Sequence, residues 1–100
     1  MVRFDSPVGG KIQKERPAVV VSNDVANRLL NRVQVVPLSS RADRIYPGEA
    51  QVTVNGQVRK ALANQLTTVS KRRIANREGQ ISPQDLAQVE AAIKVQLDLS

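Results

Sequence analysis

Two alternating stretches, Gln51-Val52-Thr53-Val54 and Gln57-Val58-Arg59-Lys60-Ala61, flank the dipeptide Asn55-Gly56. A two-residue connection of type I′ needs positive φ at both central positions, which asparagine and glycine supply. The alternation on either side has the period of a strand. The pattern predicts an antiparallel hairpin, and every other segment must be read as something that can pack with it.

The run Ala18-Val19-Val20-Val21 opens at Pro17, where a missing N–H is tolerated, and predicts a central strand over 17–22. Asn23-Asp24 is a possible cap, and Val25, Leu29 and Leu30 at helical spacing predict a short helix or a wide connection over 24–32. A second strand follows from Val33 to Leu38. Residues 39–48 are polar, with Arg41 and Arg44 flanking Asp43 before Tyr46-Pro47-Gly48, and read as a loop. After the hairpin, Leu66 to Val69 predicts a last short strand, and Lys71-Arg72-Arg73 with Arg77 and Glu78 a basic turn ending at Gly79. Ser82-Pro83-Gln84-Asp85 supplies an N-cap, a proline at the first helical position and an acidic first turn. Leu86, Val89, Ile93 and Leu97 then line one face of a C-terminal helix. Residues 5–15 contain Pro7 and Gly9-Gly10 and read as a flexible loop with a basic tip. The sum is a mainly β chain: one domain over 1–100, built as a strongly bent antiparallel sheet, barrel-like, closed by an α-helix.

Composition narrows the chemistry. The 15 Lys and Arg against 9 Asp and Glu give a net charge of +6, and residues 1–80 hold fourteen of the basic groups and six of the acidic ones. Such a field attracts polyanions without choosing among RNA, DNA and an acidic protein tail. No cysteine and no histidine are present, which removes disulfides, a thiolate nucleophile, a histidine-activated serine and a thiolate or imidazole metal site. No metal or cofactor is expected. The longest apolar run is four residues, against the roughly 20 a membrane span needs, so no membrane association and a cytoplasmic location are expected.

Within this frame, Arg16 stands at the start of one strand and Ser39 and Ser40 at the end of another. If the strands lie side by side, a guanidinium and two hydroxyls share one sheet edge, where a phosphate finds charge and donors together. Lys11 and Lys14 precede Arg16, and Arg41 and Arg44 follow the serines. Asn64, Gln65, Thr67 and Thr68, before Lys71-Arg72-Arg73, have the amides and hydroxyls that contact bases. A capping serine, a solubilising strand-end arginine and a solvated polar turn remain open as plainer readings of the same residues. Phe4 and Tyr46, the sole phenylalanine and tyrosine, do not amount to a stacking platform.

These pieces, Arg16-Pro17-Ala18-Val19-Val20-Val21-Ser22-Asn23, Val36-Pro37-Leu38-Ser39-Ser40, Asn64-Gln65-Leu66-Thr67-Thr68-Val69-Ser70-Lys71-Arg72-Arg73 and a helix ending Leu97-Asp98-Leu99, occur in one order. In that combination the chain resembles the MazF/PemK family of toxin endoribonucleases. The resemblance covers residues 2–99. It implies a barrel related to SH3 domains and to the plasmid toxin CcdB, a homodimer, and metal-independent cleavage of single-stranded RNA at short motifs, leaving 2′,3′-cyclic phosphate and 5′-hydroxyl ends. The family's arginine falls on Arg16 and its threonine on Ser39, which keeps the hydroxyl. Lys11, Lys14, Ser40, Arg41, Arg44, Asn64, Gln65 and Thr67 are the RNA-binding positions it suggests. A cognate antitoxin with an acidic C-terminal tail is the protein partner it implies.

The chain departs from the family pattern in places. Most of the family's first strand is absent from the start Met1-Val2-Arg3-Phe4-Asp5. Lys11 and Asn64 stand where acidic residues are usual, and Thr67 where arginine is common. Glu15 is a nearby candidate for a proton acceptor. These departures keep open a second expectation, a non-catalytic relative of the same fold that binds RNA or antitoxin without cutting.

Overall fold

The computed structural model describes residues 2–5, 13–74 and 79–99. Strand β4 (Arg32–Ser39) organises the sheet. On one edge it pairs antiparallel with β3 (Ala18–Val20), in the register Ala18 to Pro37 and Val20 to Val35. Its other edge is shared. β7 (Thr67–Ser70) pairs with residues 32–35, and β6 (Gln57–Leu62) with Leu38 and Ser39. Strand β5 (Glu49–Val54) then pairs with β6 along its whole length. The result is a curled, half-barrel sheet.

Pro37 marks the fork. Leu38 N–H donates to Pro17 O at 2.9 Å, so the neighbouring position 37 directs its nitrogen to the opposite edge. That edge is where β4 changes partner, between the Val35 to Thr67 and Leu38 to Ala61 pairs. A residue without an N–H fits there although it lies inside a central strand.

Alternation along β4 feeds two apolar clusters. Val36 and Leu38 join Val19, Ala50, Val52, Ala61 and Ala63 beneath Val89 and Ala92 of helix α2 (Pro83–Gln96). Val33 and Val35 meet Val69 on the other face, with Ala18 and Ile74 against them. The predicted hairpin forms, and Asn55 and Gly56 take φ of 52° and 78°, the left-handed values the turn demands. Helix α2 is capped by Ser82 Oγ, which accepts from Asp85 N at 3.0 Å. Asp85 Oδ2 in turn accepts from Thr53 N at 2.9 Å and ties the helix start to β5.

Three expectations need correction. The stretch read as a loop contributes to two strands, because β1 (Val2–Asp5) takes in Asp5 and β2 is Gln13–Arg16. They form an antiparallel two-stranded ribbon with Val2 opposite Arg16. Gln13-Lys14-Glu15-Arg16 has no apolar alternation, so periodicity could not mark it. The basic loop tip around Lys11 lies outside the described residues. Strand β3 is not central: it stands at one end of the five-stranded order, and Val20 is 42% exposed. Its valines match β propensity, but only Val19 is buried. On α2, Val89 and Ala92 are buried and Leu86 and Ile93 partly so, whereas Leu97 is exposed. Leu97 is the C-cap, and the backbone turns left-handed at Asp98, so the helical face ends before it. The short helix forms as α1 (Asp24–Leu29), with Asn23 Oδ1 accepting from Ala26 N at 2.8 Å, yet none of its residues is buried.

Candidate nucleic-acid interface

Ser39 ends β4 and Arg16 ends β2, one residue before Pro17, whose O accepts from Leu38 N at 2.9 Å. The β3 to β4 ladder ends at the Ala18 to Pro37 pair, and the Leu38 to Pro17 hydrogen bond beyond it holds the chain that leads to Arg16 near the Ser39 end of β4. On the other side of Ser39 stands Lys60, and beyond it Gln51. Ser39, Lys60 and Gln51 therefore form one row across the three strands β4, β6 and β5. Their neighbours Leu38, Ala61 and Ala50 point into the core beneath α2. By the two-residue period of a strand, the row faces away from the helix.

Ser39 is half-buried, and its Oγ accepts from Arg41 N at 3.2 Å, which turns the chain out of the sheet. Ser40, Arg41 and Arg44 are exposed on the loop that follows. The loop is pinned from below. Lys60 Nζ lies 3.3 Å from Glu49 Oε1 and donates to Arg44 O at 3.2 Å. Glu49 Oε1 also accepts from Tyr46 N at 2.8 Å. Arg44 Nη1 donates to the Tyr46 hydroxyl at 3.2 Å.

Asn64 and Gln65 occupy a 3-10 turn (Ala63–Gln65) between β6 and β7. Because both strands flank β4 on the same edge, this turn lies beside Val36 and Pro37 at the fork, with both side chains exposed. Thr67, exposed at the start of β7, stands opposite Val35 and, by parity, on the face of Ser39. Thr68 falls on the other face, where its Oγ1 accepts from Gln34 Nε2 at 3.2 Å. Ser39 and Ser40 thus stand at the end of β4, Arg41 and Arg44 on the loop after it, and Asn64, Gln65 and Thr67 on the turn and strand at its fork. Lys14 lies in β2, with its backbone opposite Phe4. Lys11 lies outside the described residues.

Sequence reasoning missed Lys60 and Glu49 as neighbours of the site. The hairpin register places Lys60 opposite Gln51, but only the distant β4 to β6 pairing brings it to Ser39.

The model of a family described as PemK-like, MazF-like toxin of type II toxin-antitoxin systems matches residues 1–97. The chain belongs to this family. The chain is 36% identical over 107 residues to the endoribonuclease MazF9 of Mycobacterium tuberculosis, which covers 98% of this chain and 91% of that protein. It is 34% identical to the endoribonuclease toxin MazF of Escherichia coli, over 94% of this chain and 85% of the relative. Among solved structures, MazF of Deinococcus radiodurans superposes with a TM-score of 0.79 at 26% identity, covering 98% of this chain and 90% of that one. Family membership makes this a toxin of the ribonuclease class that works opposite an antitoxin. The half-barrel sheet with its C-terminal helix is that family's fold. Among the described residues, no helix is long and apolar enough to cross a membrane.

Proposed function

We propose that this PemK/MazF-type toxin cleaves single-stranded RNA at short motifs without a metal, by attack of a 2′-hydroxyl on the adjacent phosphorus. The new O2′–P bond displaces O5′, so the products carry a 2′,3′-cyclic phosphate and a 5′-hydroxyl. The 2′-hydroxyl loses its proton and the departing O5′ gains one. The observation that supports this reading is Lys60 across the ladder from Ser39, with Arg16 next to Pro17 at the same end of β4. Two cations near one hydroxyl suit a phosphate whose oxygens gain charge on the way to the transition state. Arg16 offers a planar fork to two of those oxygens, and Ser39 orients the phosphate or the 2′-hydroxyl. Ser40, Arg41 and Arg44 hold the backbone on one side, with Lys11 and Lys14 on the other. Asn64, Gln65 and Thr67 read bases at the fork.

The partners proposed with this activity are a second copy of the chain and an antitoxin whose acidic tail competes for the same cations. A solved relative from Deinococcus radiodurans, 29% identical with a TM-score of 0.73, is a MazE–MazF structure.

Purified protein incubated with mixed-sequence single-stranded RNA in EDTA is expected to give discrete fragments with 5′-hydroxyl ends. Arg16→Ala and Ser39→Ala should each slow this by about 10²- to 10³-fold with an unchanged fold. Metal dependence, or full activity in Arg16→Ala, overturns the mechanism. Binding of the same RNA without cleavage would instead identify the non-catalytic relative.

A further inference from the structure

Tyr46 is the one aromatic side chain whose surroundings are described, and it is 51% exposed at the rim of the row. An exposed ring on a polar loop would ordinarily be mobile, yet this one is held at several points. Tyr46 N donates to Glu49 Oε1 at 2.8 Å, and Glu49 N returns a bond to Tyr46 O at 3.0 Å. Its hydroxyl accepts from Arg44 at 3.2 Å. The Arg44 guanidinium carbon and Lys60 Nζ stand 5.8 and 5.6 Å from the ring centroid. Lys60 is in turn the cross-strand neighbour of Ser39. A fixed, half-exposed π-surface therefore sits one side chain away from the candidate centre, with two cations over the ring close to the outer limit of contact.

Building on the RNA-cleavage reading, we propose that Tyr46 is a stacking subsite for one unpaired base of the RNA next to the scissile phosphate, with Arg44 and Lys60 taking the phosphates that flank that base. Stacking of this kind tolerates any base, since every base has a π-face, and is lost when the ring is removed. Tyr46 then sets affinity and the placement of the strand, while the identity of the bases is read elsewhere. A ring held in place before binding loses little conformational freedom on contact, which makes a single aromatic effective where several mobile ones would otherwise be needed. One such subsite is distinct from the multi-ring platform that the composition excludes.

The chain's lack of tryptophan and its single tyrosine provide a direct readout, because tyrosine emission reports this ring alone. The probe is a mixed-sequence 2′-O-methyl oligoribonucleotide, which cannot be cut because the attacking hydroxyl is blocked. An abasic strand of equal length and charge serves as comparison. Saturable quenching by the base-bearing strand and none by the abasic strand is expected. Tyr46→Leu should weaken binding by roughly 5- to 100-fold, whereas Tyr46→Phe, which keeps the ring and loses the Arg44 contact, should bind nearly as the parent does. Equal quenching by both strands, or binding unchanged in Tyr46→Leu, overturns the subsite, and neither result bears on whether the parent cleaves RNA. Quenching in a protein that leaves ordinary RNA intact upholds the subsite and removes the nuclease reading. A parent protein that binds neither strand overturns both.

Discussion

The proposed mechanism gives Ser39 two cations, Arg16 and Lys60, and the two are differently held. Arg16 is exposed, whereas Lys60 is 13% exposed and paired at 3.3 Å with Glu49, itself 15% exposed. Removing one partner of so covered a pair leaves the other charge short of solvent. Lys60→Met is therefore expected to cost about 1–3 kcal/mol in urea unfolding. Adding Glu49→Gln should return part of that stability, since the amide oxygen still accepts from Tyr46 N. It should not return RNA cleavage, which depends on the cation beside Ser39. Cleavage that recovers together with stability would show that Lys60 serves only to hold Glu49.

At the scale of elements, the fork in β4 decides where the site lies. Pro37 occupies the gap between the β7 and β6 pairings and gives up no ladder bond. Pro37→Ala should accordingly cost no more than about 1 kcal/mol, chiefly through greater freedom of the unfolded chain. Its neighbour Val36, fully buried under α2, should cost about 2–4 kcal/mol as Val36→Ala, and urea midpoints at constant slope separate the two. The same fork explains what could be read from residues alone. The β5 to β6 hairpin was legible because Asn55-Gly56 states its turn chemistry locally, and α2 because Ser82, Pro83 and Asp85 state its start. Arg16 and Ser39 could be singled out because each ends a strand. Lys60 could not, because its place beside Ser39 depends on two strands more than twenty residues apart choosing each other. Strand β2 was invisible for another reason: four polar residues pair through their backbone and offer no pattern of burial to detect.

For the whole molecule, the decisive quantity is how little apolar volume one copy buries. Among the described residues, the largest side chains buried beyond 2% exposure are four valines, and ten large apolar or aromatic side chains are exposed. Helix α2 already covers its own sheet through Val89 and Ala92, so it is not free to cover another. What stays open includes Leu29 at 78% and Leu30 at 55%, along with Ile45 on the loop after Arg44. A chain of 100 residues withdraws only about 60–65% of its surface on folding, and a two-fold partner is the commonest way to withdraw more. We therefore expect a homodimer, joined through the loop after Arg44 at Ile45, strand β4 and the segment from Asn64 to Thr68, with the Tyr46 ring left facing the groove. This arrangement brings the base-reading turn of one copy toward the boundary with the other and makes one groove from two sheets. It also sets the net charge of +6 per chain against itself, so association should tighten as salt screens the repulsion, while RNA binding weakens. Sedimentation equilibrium at micromolar concentration should give the mass of two chains, more firmly at higher salt. A single-chain mass at every concentration and salt would remove the shared groove and leave each copy to act alone.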